Sequence, residues 1–110
     1  MAIKLNKAGF ERAKKVITNG LEIIHQSNWE AEKPTDNDKD LFIETHTLNE
    51  YGEWFLGINT DAGTEDLSRY VYPWGDFKVL HVSALKSAEQ KGTEEIKQAA
   101  RSLFGMIKKK

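Results

Sequence analysis

The stretch Glu53–Pro73, EWFLGINTDAGTEDLSRYVYP, decides how the chain is read. Its two ends are short, apolar and rich in aromatic or β-branched residues, and a polar segment separates them. EWFLGIN is the strongest strand candidate in the sequence. RYVYP is a second, with Tyr70 and Tyr72 expected on one face and Val71 on the other. The connection TDAGTEDLS suits an antiparallel pair better than a parallel crossover, which needs about a dozen residues or more. Pro73 closes the second strand because it has no N–H to give to a ladder. Alternation places one of Trp54 and Phe55 inward and the other outward.

Working downstream, RYVYPWGDFKVLHVSAL (Arg69–Leu85) gathers four of the eleven aromatics into one junction. Asp76 is expected to cap a helix over FKVLHVSALKSAEQK, with Phe77, Leu80, Ala84 and Ala88 on one stripe and Leu85 beside it. Gly92 stops that helix and Thr93 caps the last one. Glu94 and Glu95 open the last helix and lysines close it, both with the favourable sign for the helix dipole. Its apolar stripe is Ile96, Ala99, Ala100, Leu103, Phe104 and Ile107. The short turn between the two helices predicts an antiparallel hairpin.

Working upstream, LNKAGFERAKKVITNG predicts a first helix with Asn6 as N-cap and Phe10, Ala13, Val16 and Ile17 on one face. LEIIHQSNW reads as a strand or an extended linker. Thr35 and Asp38 stand at capping-box spacing, and Asp36, Asp38 and Asp40 favour the helix N-terminus that follows. Leu41 and Phe42 are expected to anchor this short helix, and NEYGEW to be a turn. Together these give an α+β domain spanning 1–110: a short antiparallel sheet of two or three strands packed against helices, with a C-terminal antiparallel helix hairpin.

At 110 residues the chain is long enough to bury a core without covalent staples. It has no cysteine, which removes disulfides and thiolate chemistry and fits a reducing cytoplasm. No apolar run has signal-peptide or membrane-spanning length, so a cytoplasmic protein without membrane contact is expected. The net charge of −1 hides a pattern: +4 over residues 1–20, −10 over 21–66 and +5 over 67–110. Such a chain neutralises itself on folding or shows opposite faces to different partners.

The chemistry-bearing residues form no catalytic pattern. His25, His46 and His81 lack metal-ligand spacing, so no metal site and no cofactor are expected. Asp36, Asp38 and Asp40 alternate as in a calcium loop, but Leu41 and Thr47 occupy the positions that need Gly and Glu. His81 and Ser83 lie two apart, a spacing that does not face on a helix. The aromatics are the most distinctive set: they are expected to serve first as core and rim of the domain, while rings beside Arg69 and Lys78 also suit stacking or a partner's apolar patch.

Tyr51, Gly52, Trp54, Leu56, Gly57 and Ile58 begin a pattern that continues through Tyr70, Tyr72, Pro73, Gly75, Asp76, Phe77 and His81. It ends at Ile96, Ala99 and Ala100. This pattern resembles a family of small uncharacterised bacterial proteins, and the closing segment is similar to parts of phage-type proteins. The resemblance implies no activity, cofactor or catalytic residue. Val82 stands where the family pattern has an arginine.

The leading expectation is a binding or interaction module without catalysis, monomeric or weakly dimeric. It would contact a protein partner through Trp54, Tyr72, Trp74, Lys78 and His81. A nucleic-acid-associated protein is the alternative, through Lys7, Arg12, Lys14 and Lys15 on the first helix and Arg101, Lys108, Lys109 and Lys110 at the end. Its signature would be steep salt dependence. A carboxylate–histidine enzyme built on His81 is the third.

Overall fold

Strand β3 (Phe55–Asn59) is the centre of a three-stranded antiparallel sheet, flanked by β1 (Ile3–Leu5) and β4 (Tyr70–Pro73). The register pairs Ile3 with Asn59, Phe55 with Pro73 and Ile58 with Tyr70. The computed structural model describes residues 3–19, 23–26, 28–63, 66–77 and 79–108. Among these, α1 (Lys7–Thr18) follows β1, and three short helices occupy the acidic middle: α2 (Trp29–Glu32), α3 (Asp36–Thr45) and α4 (Leu48–Gly52). A second, two-stranded sheet pairs β2 (Ile23–Ile24) in parallel with β5 (Leu80–His81). The chain closes with α5 (Val82–Lys91) and α6 (Glu94–Lys108), packed on each other. The α+β reading holds, with the antiparallel sheet and the C-terminal helix pair in place.

Both N-terminal capping signals in the middle work as written. Thr35 and Asp38 form a reciprocal capping box for α3. Thr47 and Glu50 do the same for α4, where a turn was expected. The Thr47 N–H donated to Glu50 holds that carboxyl below its usual range. Three further expectations are corrected. Leu41 does not anchor α3; it is 53% exposed, while Phe42 is partly buried. Trp54 and Phe55 do not split between inside and outside, because both are buried. A central strand with α1 and α6 packed on it and aromatic rings around Phe55 has no solvent face at that point. The third concerns the helix expected from Phe77. It starts at Val82 instead, with His81 in the N-cap position; Asp76, Phe77 and Val79 lie in a turn that leads into the short strand β5.

Asp76 builds that turn. Its backbone N–H donates to the Val79 carbonyl at 3.2 Å, and its Oδ1 accepts the Val79 N–H at 3.0 Å. Phe77 takes a left-handed backbone, φ 72°. That conformation is uncommon for a bulky residue, and here it aims the ring into a cluster with Phe42, Tyr51, Trp54 and Phe55. Tyr72, at φ 60°, likewise interrupts the regular pleat of β4.

Helix α1 meets β3 at Gly9. A Cβ there would lie 1.8 Å from the Phe55 carbonyl oxygen. Gly9→Ala is therefore expected to destabilise the protein by about 2–3 kcal/mol, the overpacking penalty outweighing the roughly 1 kcal/mol gained in helix propensity. Urea unfolding measures it, and a variant as stable as the parent would show that the helix backbone does not touch the strand.

Candidate functional site

The aromatic junction is core. Trp74 is fully buried, its ring stacked on Trp54 at 4.3 Å, and its Nε1–H donates to the Glu53 carbonyl at 2.9 Å. Its backbone links the two sheets: the N–H donates to the Trp54 carbonyl, and the carbonyl accepts the His81 N–H. Neither Trp54 nor Trp74 is available to a partner in the folded protein. Tyr72 is half-buried, and its hydroxyl donates to the Lys91 carbonyl at 3.1 Å. Lys78 lies outside the described residues, as do Lys109 and Lys110. Tyr51, at the base of the same cluster, has its phenol pushed up to about 12 by burial and by Asp36 and Asp40.

His81 is 4% exposed, beside Trp29, with Nε2 hydrogen-bonded to Asp76 Oδ2 at 3.0 Å. Asp76 lines an open pocket of about 430 Å³ with Pro34, Asp38, Leu41, Phe42, His46 and Phe77, but His81 is not among its lining residues. The pair ties the turn at Asp76 to the first residue before α5, which is a structural use of both groups. The histidines are not brought together: His25 is at the surface near α6, His46 stacks on Phe42 and His81 is in the core.

The basic residues singled out above do not form one face either. Arg12 lines a small pocket with Glu50, Glu53 and His46, beside the acidic middle of the chain. Lys14 pairs with Glu11 at 3.3 Å and lies over the Phe10 ring. Lys7 and Lys15 are exposed on α1. Arg101 and Lys108, by contrast, meet in a groove between α5 and α6.

That groove encloses about 870 Å³. Its floor is Val82, Phe104, Gly105 and Ile107, and its rim carries Lys86, Arg101, Lys108 and the exposed His25, with Glu89 within 3.6 Å of Arg101. It exists because α6 has 15 residues and α5 only 10, so the last turns of α6 run past the start of α5. Gly105 sits on this overhang, and a Cβ added there would meet nothing within 4 Å. A glycine inside a helix costs about 1 kcal/mol relative to alanine, and no packing within the described residues explains it. The floor is apolar, the rim is mostly basic and the helix surface is smooth at its centre. Such a site takes a ligand with an apolar body and negative charge.

Sequence reasoning missed this groove for a specific reason. A helix starting at Phe77 would match the last helix in length and cover the Phe104–Ile107 end of its stripe. A glycine inside the last helix, next to Phe104, was the available signal. Among the described residues, no helix is long and apolar enough to cross a membrane. No family model, curated protein or solved structure matches the chain.

Proposed function

We propose that the protein is a small binding module without catalysis, and that its contact surface is the groove between α5 and α6. The observation that carries this is the combination of an apolar floor with a rim of Lys86, Arg101 and Lys108. It takes an acidic, amphipathic polypeptide surface: an apolar side chain fills the floor, and flanking carboxylates meet the rim. The contact surface thus moves from the aromatic junction, where Trp54 and Trp74 serve the core, to the far side of α5. The lack of cysteine fits work in the reducing cytoplasm. The nucleic-acid reading keeps Arg101 and Lys108, which Lys86 joins in the groove, but has Arg12 and Lys14 beside carboxylates, which leaves it a short basic patch.

A photo-crosslinking residue placed at exposed Gln90, on the groove rim, tests the reading in cells, with Lys7 on α1 as the control position. Polypeptides captured from Gln90 but not from Lys7, and lost in an Arg101→Glu/Lys108→Glu variant, are the expected result. Equal capture at both positions overturns the reading. So does short DNA or RNA binding whose affinity falls steeply with salt and depends on the same two residues.

A further inference from the structure

A counterpart to this groove lies on helix α3, none of whose residues lines the groove. Helix α3 buries no residue completely, and its outward face presents Asn37, Asp40, Leu41 and Glu44 at successive helical positions. Leu41 is the large apolar residue left exposed among the described residues, at 53%. It stands beside Asp38, Lys39, Asp40 and Glu44, at the edge of the pocket that Phe42, His46 and Phe77 line, as an apolar knob in a mostly acidic setting. The groove is the complement, an apolar hollow over Gly105 ringed by Lys86, Arg101 and Lys108.

Building on the groove as the contact surface, we propose that its occupant is the α3 face of a second copy of this chain. Leu41 packs on Phe104, with Val82 and Ile107 to one side and Gly105 at the other edge. Asp40 and Glu44 then lie against Lys86, Arg101 and Lys108. The two surfaces cannot meet within one molecule. The N-terminal end of α3 lines a pocket with Ser87 and Lys91 of α5, on the side of α5 away from Lys86 and Gln90. The contact is head to tail, because knob and groove are different patches, so assembly continues beyond a dimer unless a ring closes. One helix face in one groove belongs to the weak class of interfaces, below about 1,200 Å² in total. Charge on both sides makes the association salt-sensitive.

Sedimentation velocity of the whole chain, from about 10 µM to about 1 mM, tests this at about 50 and 500 mM salt. The weight-average mass is expected to rise with concentration at low salt and to fall back at high salt. Leu41→Lys and Arg101→Glu/Lys108→Glu are each expected to weaken association at least tenfold. All three positions are exposed, so folding is not in question. Gly105→Leu, whose Cβ would meet nothing within 4 Å and whose longer side chain takes up space in the groove, acts in the same direction. Mixed in equal amounts, the knob variant and the groove variant form a heterodimer that grows no further, because each supplies the surface the other lacks. A parent that stays monomeric throughout overturns the proposal. Undiminished association of both variants does the same, as does a mixture that fails to pair. If the chain stays monomeric while Gln90 captures a different acidic polypeptide, the self-contact falls and the binding reading stands.

Discussion

Replacing Asn6 by Asp is expected to destabilise the protein by about 4 kcal/mol at neutral pH, enough to remove much of a typical domain's stability. Asn6 is 4% exposed and sits where β1 turns into α1. Its side chain does not cap the helix. Instead Nδ2 donates to two carbonyls, those of Gly52 at 2.8 Å and Phe55 at 3.0 Å, while its backbone N–H donates to the Leu56 carbonyl. Both side-chain partners are acceptors, so the amide orientation is settled by chemistry. A carboxylate there would point negative oxygen at two carbonyl oxygens. Asn6→Ala, which only leaves the carbonyls unpaired, should cost about 2–3 kcal/mol.

The pH dependence of the Asp variant carries the sharper signature. Its introduced carboxyl is held neutral by the fold, so its folded pKa stands above the unfolded value of about 3.9. The folded state then binds more protons, and stability falls as pH rises through and above that value. Urea unfolding at about pH 4 should recover part of what is lost at pH 7, relative to the parent at the same pH. A deficit below about 1 kcal/mol at pH 7 would mean that Asn6 does not hold the two carbonyls.

Trp74→Ala is expected to cost about 4 kcal/mol, in the range for emptying a core tryptophan site. Trp74 is the largest fully buried side chain and stacks on Trp54. Trp74→Phe keeps most of the ring volume and loses the Nε1–H bond to the Glu53 carbonyl, a smaller loss of about 1–2 kcal/mol. Thermal or urea unfolding of the pair separates packing from hydrogen bonding. A surface-contact role would leave stability unchanged in both, and that outcome would contradict the burial of Trp74.

The regular elements were legible because their signals are local. The apolar stripe of α6, the capping box at Thr35 and the strands on either side of TDAGTEDLS each need only a few neighbouring residues to be read. Residues 75–81 were not. Asp76 followed by apolar residues at helical spacing looks like a capped helix. What decides otherwise is tertiary: the Phe77 ring finds four aromatic partners only from a left-handed backbone, and His81 reaches both Asp76 and the Trp74 carbonyl. The helix α4 had a written signal in Thr47 and Glu50 that aromatic residues in NEYGEW obscured. The groove depended on the length of α5, so an error at Asp76 concealed a surface more than twenty residues away, at Phe104 and Gly105.

The two N-terminal strands share a property that bears on how the chain is made. Ile3 pairs with Asn59 and Ile23 pairs with Leu80, so each strand waits more than fifty residues for its partner. At a synthesis rate of about 5–20 residues per second, each strand leaves the ribosome several seconds before the segment that completes it. The hairpin of β3 and β4 and the pair α5–α6 close over short separations and need no such wait. During translation the basic N-terminal helix is therefore unsheltered while the acidic middle is still being made, and the order of emergence favours completion from the C-terminal half inward.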